Sequence, residues 1–273
     1  MATKNTGNHF FSGNLASIQL LIIFVAVLLA GLSIIGLNWS EQLYPAEEFI
    51  QAFMTNDLIN LLIGLPVLAA VFLLIRGSKL TGLLLLPGAM LYVFYNSIAY
   101  VFGRRFDLFS AGHLVLILVC AFGPFWIFYQ LDLRAIRGRL LEVIPAKFSG
   151  WVLTGFGTLF FFRAVGMFAS SLIQSRAIPL SEVGVLVADM VLSVLLFAGG
   201  VMLLRNRVMG AAAGLGLLYA ASMLFAGLIA LLVVQAAINQ TAIPFVDILV
   251  VASMGSVCFI PFVRYLRACA KSE

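Results

Sequence analysis

Residues 15–37 read LASIQLLIIFVAVLLAGLSIIGL, a run of 23 residues without a charged side chain. A helix needs roughly 20 apolar residues to cross about 30 Å of hydrocarbon, so this run is long enough to span a membrane. It is also longer than the apolar segment of a typical signal peptide, and no small-residue cleavage site follows it. The run therefore predicts an uncleaved membrane anchor.

Seven further stretches have the same length and apolar character. Their approximate ranges are 57–75, 80–103, 108–129, 148–174, 181–204, 210–237 and 244–265. The whole chain of 273 residues is 63% apolar and 10% charged, whereas a soluble domain is about 45–50% apolar and about 25% charged. This composition excludes a soluble enzyme, a disordered protein and a nucleic-acid binder. It predicts an all-α, polytopic membrane helix bundle with eight transmembrane helices.

Lysine and arginine are distributed unevenly between the two sides of the predicted bundle. When both termini are placed in the cytoplasm, twelve of the sixteen basic residues lie on the inner side, and the outer side holds Arg104, Arg105, Arg163 and Arg176. Eight of the eleven acids lie on the outer side. Because cytoplasmic loops carry the excess of Lys and Arg, we predict that both termini are cytoplasmic. The net charge of +5 is interpreted as this topology signal and not as a nucleic-acid interface.

The predicted topology divides the chain into a cytoplasmic tail (1–14), an eight-helix transmembrane domain (15–265) and a second cytoplasmic tail (266–273). The inner segment 130–147 repeats apolar residues at helical spacing, with three arginines between them. We predict that it forms an amphipathic helix on the membrane surface; a polar loop is the alternative.

A weak internal similarity relates the two parts of the chain on either side of segment 130–147. RGSKLTG (76–82) in the first part is similar to RNRVMG (205–210) in the second, and each is followed by a glycine and a tyrosine at similar distances. Each part contains four spans, an even number, so the second part starts on the same side of the membrane as the first. We therefore consider a 4+4 parallel repeat of residues 15–129 and 148–265.

Arg163 and Asp189 are ionisable residues within predicted spans. Arg163 lies eleven residues before the outer end of the fifth span, and Asp189 lies eight residues after the outer start of the sixth. At ~1.5 Å per residue, both lie roughly 12–16 Å below the outer surface. The two spans form an antiparallel hairpin, so we predict an Arg163–Asp189 ion pair, since an unpaired arginine is costly there. The pair is either a structural clamp or part of a ligand site.

Further polar residues lie in the outer halves of other spans. They are Asp57, Asn60, Tyr92, Tyr95, Asn96, His113 and Asp247. Tyr92, Tyr95 and Asn96 share one face of the third span because they are three and four residues apart. Simpler interpretations are a helix cap for Asp57 and a packing role for His113. Taken together, the set predicts a polar cavity that opens outward above an apolar floor.

The sequence contains no pattern of a known catalytic, metal or cofactor site. No lysine lies within a span, the chain has only two histidines, and its three cysteines form no CxxC pair. HExxH, GxSxG and Walker patterns are absent. We therefore expect no metal, no cofactor and no nucleic-acid partner. The lipid bilayer is the expected partner, and a protein partner or a second copy of the chain is left open.

Three segments of the chain resemble a known group of proteins. The segments are DLINLLIGLPVL (57–68), RGSKLTG (76–82) and YVFYNSIAYVFG (92–103). They resemble bacterial multi-pass membrane proteins of unknown function that share the pattern DLxxLLxGLP followed by YxxYNxxxYxFG. The resemblance implies a bacterial inner-membrane protein and implies no substrate. The residues that it places in the shared pattern are Asp57, Pro66, Tyr92, Asn96 and Tyr100.

Three classes of function are consistent with these features. The leading one is binding or transport of a small solute or ion in the outward-facing cavity, at the polar residues named above. A second is a membrane enzyme that acts on a lipid or quinone with His113 as acid or base. A third is a non-enzymatic sensor or assembly partner that uses segment 130–147 as its contact surface. The absence of a recognised nucleophile or metal set makes the enzyme the less favoured class.

Overall fold

The computed structural model describes residues 11–44, 46–77 and 80–272, and in this part of the chain it contains helices and no β-strand. Eight helices are long and apolar enough to cross a membrane, which confirms the predicted all-α architecture. The protein is therefore a multi-pass membrane protein. The helices are α1 (Leu15–Asn38), α2 (Ile50–Arg76), α3 (Leu80–Phe102), α4 (Leu108–Gln130), α5 (Ala146–Gln174), α6 (Leu180–Leu204), α7 (Val208–Ile238) and α8 (Phe245–Ser272).

Helix α2 differs from the expectation at its start. It begins at Ile50, seven residues before the predicted boundary, and it contains two π-helical turns, Ile50–Met54 and Asn60–Gly64. The second π turn lies directly before the regular part Leu65–Arg76, which has Pro66 in its first turn. Because proline lacks an N–H and its ring clashes with the preceding turn, a wider turn at this point lets the helix continue.

Helix α3 is the central helix of the bundle. It packs against α2, α4, α6 and α7, and nearly all of its residues are buried. Its glycines allow this close packing: a Cβ on Gly88 would overlap the carbonyl oxygen of Gly216 on α7. The hairpin of α5 and α6 forms the most extensive helix pair, and α7 and α8 complete the second part of the bundle.

Two glycine contacts occur at corresponding positions of the two parts of the chain. Near the start of α3, a Cβ on Gly82 would lie 2.8 Å from the backbone nitrogen of Ile75 at the end of α2. Near the start of α7, a Cβ on Gly210 would lie 2.6 Å from the backbone nitrogen of Leu203 at the end of α6. A 4+4 repeat predicts such paired contacts, and the repeat itself stays a prediction.

Segment 130–147 contains the short helix Leu133–Leu140. Asp132 caps its start, since Oδ1 accepts hydrogen bonds from the backbone N–H groups of Arg134 and Ala135. Ile136, Leu140 and Ile144 are buried, and the arginines between them are exposed. The helix packs against α7 and α8. The predicted amphipathic helix is therefore present over part of the segment, and its position on the membrane surface stays a prediction.

Candidate functional site: a polar cavity between six helices

A cavity of about 490 Å³ lies between α2, α3, α5, α6, α7 and α8. Its volume falls in the range of roughly 300–1,000 Å³ that is typical of small-ligand pockets. Leucine, phenylalanine, valine, alanine and methionine side chains form most of the wall. The polar lining residues are Asn56, Tyr92, Tyr95, Asn96, Arg163, Ser181, Asp189 and Gln235.

Asp189 is the centre of the polar part of this cavity. Tyr95 on α3 donates a hydrogen bond from its hydroxyl to Oδ1 at 2.8 Å, and Arg163 on α5 donates from Nη1 to Oδ2. The predicted Arg163–Asp189 ion pair is therefore present in the structure. Both carboxylate oxygens have donors although the side chain of Asp189 is only 2% exposed, which stabilises a charged group in a buried position.

The two partners of this ion pair differ strongly in exposure. The side chain of Arg163 is 51% exposed, whereas that of Asp189 is almost fully buried. The short loop 175–179 brings α5 and α6 together as an antiparallel hairpin, and this connection places both side chains at the same depth. The side chain of Arg163 is therefore held by a buried acid, lines the cavity and is half exposed.

Helix α3 contributes three neighbouring residues to the same wall. Tyr92, Tyr95 and Asn96 line the cavity, as their spacing on one helix face predicts. The side-chain amide of Asn96 donates to the backbone oxygen of Tyr92 at 3.0 Å, which satisfies one of its N–H groups within the helix. Together with Arg163 and Asp189, these three residues bring to five the number of predicted site residues, out of nine, that line the cavity.

The other four predicted residues lie elsewhere. Asp57, Asn60 and His113 are fully buried among α1, α2, α3 and α4 and do not line the cavity. Asp247 lies in the first turn of α8 with its side chain exposed, also away from the cavity lining. All nine residues were predicted to line one cavity, whereas five of them line it, Asp57, Asn60 and His113 are buried outside it, and Asp247 lies on the surface.

We call the second group the Asp57 cluster; it contains Asp57, Tyr44, Tyr100, His113 and Arg104. Asp57 accepts a hydrogen bond from Tyr44 at 2.7 Å and one from Tyr100 at 2.6 Å. Gly36 on α1 leaves the space for this contact, because a Cβ there would overlap Oδ2 of Asp57. Burial and the neighbouring Asp57 carboxyl raise the pKa of Tyr44, so that its phenol stays protonated and remains a donor.

Aromatic stacking closes the Asp57 cluster on the side of α4. The ring of His113 stacks on Tyr100, with centroids 4.1 Å apart and planes 5° from parallel. Neither ring nitrogen of His113 has a hydrogen-bond partner within the described residues. Arg104 covers the cluster, since it donates to the backbone oxygen of Leu43 at 2.9 Å and lies 5.4 Å from the centre of the Tyr44 ring. His113 is therefore a packed ring without access to the cavity.

Some residues of both groups were not predicted from the sequence. Gln235 and Ser181 line the cavity, and applying the same depth argument to uncharged polar residues would have found Gln235. Tyr44 lies outside every predicted span, and no sequence pattern connects it with Asp57. Across residues 11–44, 46–77 and 80–272, no three His, Cys, Asp or Glu side chains come together in a way that could hold a metal ion.

Comparison of the chain with protein-family models, with curated proteins and with solved structures finds no match. The class of protein is therefore defined by its own fold and site. It is a multi-pass membrane protein; within the described residues, eight helices are long and apolar enough to span a membrane, and the charged groups that line the cavity are an arginine and an aspartate.

Proposed function

We propose that the protein binds a small solute with a negatively charged group in this cavity and moves it across the membrane. The observation that carries the proposal is the Arg163–Asp189 pair, because its arginine lines a cavity whose wall is otherwise mostly apolar and its side chain is half exposed. A ligand anion that reaches the cavity can accept hydrogen bonds from the guanidinium, which has five N–H donors.

The unequal exposure of the pair favours a ligand site over a structural clamp. In a purely structural clamp, both partners make their hydrogen bonds within the protein, and neither group is left for a ligand. Here only Asp189 is enclosed, and Tyr95 holds its second oxygen in place. The arrangement presents a positioned cation to the cavity.

The same arrangement suggests how ligand binding and proton uptake are coupled. When the guanidinium of Arg163 pairs with a ligand anion, the buried carboxylate of Asp189 loses its cationic partner. An isolated carboxylate in a water-poor environment is costly, and a proton taken up by Asp189 neutralises it. Tyr95 keeps Asp189 in position throughout, because its hydrogen bond to Oδ1 does not depend on Arg163.

The positions of other residues give the two alternative functions less support. His113, the proposed acid or base of a lipid- or quinone-active enzyme, is enclosed between Tyr100 and Phe109 and does not line the cavity. The exposed arginines of Leu133–Leu140 offer a surface for a partner, but nothing in the described contacts indicates what would bind there.

Ligand binding tests the proposal. Purified protein in phosphatidylcholine nanodiscs is heated with acetate, benzoate or octanoate, and with the neutral amide of each acid, while its thermal midpoint is measured. We expect at least one carboxylate to raise the midpoint more than its amide does in the wild type and in Asp247→Asn. The effect should be lost in Arg163→Gln and kept in Asp189→Asn, because asparagine corresponds to the protonated, uncharged Asp189 of the ligand-bound state. Equal responses to acids and amides, or equal responses of all four proteins, would overturn the proposal.

Membrane location and family are part of the same proposal. We propose that the protein lies in a bacterial inner membrane and belongs to the group that residues 57–68 and 92–103 resemble. We further propose that both termini are cytoplasmic and that the cavity opens toward the outer side of the membrane, where Arg104 lies. The positive-inside distribution of basic residues supports this orientation.

A further inference from the structure

We propose that the ligand of this cavity is an amphipathic anion, an acidic head group on a long alkyl chain, which enters from the lipid between α5 and α8. This inference rests on the proposed function and specifies the chemical class of its substrate. It is carried by three observations: the composition of the wall beside Arg163, the single cation in the lining, and the exposure of the two helices that border the cavity.

The wall beside Arg163 is apolar on three helices. Phe160 on α5, one helical turn before Arg163, lines the cavity together with Leu228 on α7 and Val251 and Met254 on α8. Phe225 on α7 continues the wall, with its ring centroid 6.2 Å from that of Phe160. A hydrated inorganic ion gains nothing from such a surface, whereas each methylene group of an alkyl chain gains free energy when it leaves water.

When Asp189 takes up a proton, as the proposed function has it, the charge of the lining matches one anionic head group. Arg163 is the only basic residue that lines the cavity in the described part of the chain, and Asp189 is already held by Tyr95 and Arg163. A carboxylate fits the planar guanidinium through two parallel hydrogen bonds. The head group therefore lies at Arg163, and the chain lies along the apolar wall.

The helices that border the cavity favour entry from the side. Helices α5 and α8 contact each other at the end opposite Arg104, where the guanidinium of Arg264 lies 5.8 Å from the centre of the Phe148 ring. Nearer the Arg104 end, large apolar residues of both helices are exposed, among them Leu172 on α5 and Leu249 on α8. In a membrane these residues contact lipid tails, and the half-exposed Arg163 belongs to the same stretch of α5.

Retention of alkyl carboxylates by the intact protein tests the inference. The protein in phosphatidylcholine nanodiscs is incubated with acetate, octanoate or dodecanoate, and native mass spectrometry measures the bound fraction. Arg163→Gln removes the cation, and Arg163→Lys keeps a positive charge at the same position. The lysine variant is the second test of the cation if Arg163→Gln does not fold. Val251→Thr adds a hydroxyl to the cavity wall, and Val250→Thr makes the same change on the exposed neighbouring residue. Nonspecific partitioning into the lipid is the same for every variant.

We expect wild-type protein to retain dodecanoate at least about tenfold more than octanoate, because four additional methylene groups are buried. Arg163→Gln should lose this retention, Val251→Thr should weaken it several-fold, and Val250→Thr should keep most of it. Arg163→Lys should keep part of it, because the charge remains and the paired hydrogen bonds of the guanidinium are lost. If acetate or octanoate binds as well as dodecanoate and binding depends on Arg163, the amphipathic ligand is wrong and the proposed anion site stands. If no carboxylate binds in a manner that depends on Arg163, both are wrong.

Discussion

Gly88 on α3 and Gly216 on α7 lie backbone against backbone at the centre of the bundle. A Cβ on Gly88 would overlap the carbonyl oxygen of Gly216, and a Cβ on Gly216 would lie 3.0 Å from the backbone nitrogen of Gly88. Small residues at such crossings let membrane helices pack closely, where van der Waals contact stabilises the pair. Helices α3 and α7 both line the cavity, so this crossing brings two of its walls together.

We predict that Gly88→Ala separates α3 from α7 and destabilises the protein by about 1–3 kcal/mol, the usual range for overpacking. The obstacle is backbone, which cannot rotate away as a flexible side chain can. The thermal midpoint of the protein in detergent measures the effect. Gly155→Ala is the matched control because its Cβ would lie in open space, and alanine favours a helix over glycine. Equal midpoints for the two variants would contradict the prediction.

The number of spans and one ion pair could be predicted from the sequence because both depend on local composition and helix geometry. The spans follow from the length of apolar stretches, and Arg163 meets Asp189 because a fixed rise per residue sets their depths on an antiparallel hairpin. Neither prediction requires knowledge of how distant helices pack.

The environment of Asp57 could not be predicted in this way. It lies between two π-helical turns of α2, and each extra residue in such a turn rotates the rest of the helix by about 100° relative to a regular helix. A projection of α2 as a regular helix therefore gives the wrong face for Asp57. Its partner Tyr44 lies outside every span, so the cost of burying charge in a membrane gives no information about it.

The hydrogen bond from Tyr44 to Asp57 should contribute measurably to stability. Tyr44→Phe leaves the aromatic packing intact and removes the donor at 2.7 Å from a fully buried carboxyl oxygen. The unpaired acceptor is expected to cost about 1–3 kcal/mol. Chemical or thermal unfolding in detergent measures the loss. Tyr129→Phe removes a hydroxyl from a tyrosine that is 90% exposed and should leave stability unchanged; a similar loss in both variants would show that the hydrogen bond is not the cause.

The Arg163–Asp189 pair should show energetic coupling in a double-mutant cycle. Arg163→Gln leaves the buried Asp189 with only Tyr95 as a charge-stabilising donor, and Asp189→Asn in that background removes the uncompensated charge. We expect the double variant to be more stable than the sum of the single effects predicts. Because Arg163 is half exposed, the coupling energy should be about 0.5–2 kcal/mol, toward the lower part of the usual range.

Unfolding of the four proteins of this cycle under one detergent condition gives the coupling energy. Arg163→Gln combined with Asp247→Asn provides the comparison, because Asp247 is exposed and away from the cavity lining. That pair should be additive. Additivity in both cycles would mean that the contact between Arg163 and Asp189 contributes nothing to folding.

Asp107 should make stability dependent on pH in the acid range. Partial burial opposes the charge, but hydrogen bonds from the backbone N–H and hydroxyl of Ser110, together with Arg104, lower the pKa of Asp107 below its ordinary value. A lowered pKa in the folded state stabilises the protein above the unfolded pKa, and this stabilisation is lost as the pH falls through the folded pKa. The advantage of wild type over Asp107→Asn should therefore begin to shrink as the pH falls below about 5 and should continue to shrink below the unfolded pKa of about 3.9.

Thermal midpoints of the wild type and Asp107→Asn across this pH range measure the predicted change. Ser110→Ala removes the hydroxyl that donates to Asp107 at 3.0 Å, so the folded-state pKa of Asp107 rises; the loss of stability should then be smaller and complete at a higher pH. A difference between wild type and Asp107→Asn that stays constant with pH would mean that the charge of Asp107 does not stabilise the fold.

Cysteine labelling should determine the orientation of the bundle. Arg176→Cys and Arg207→Cys place a thiol in exposed loops at the two ends of α6, and the native Cys120, Cys258 and Cys269 are buried and give little background. If the inner side carries the excess of basic residues, a membrane-impermeant maleimide added to intact cells should label Arg176→Cys and should reach Arg207→Cys only after permeabilisation. The reverse pattern would place the cavity opening and Arg104 on the cytoplasmic side, and the bound solute would then be collected from inside the cell.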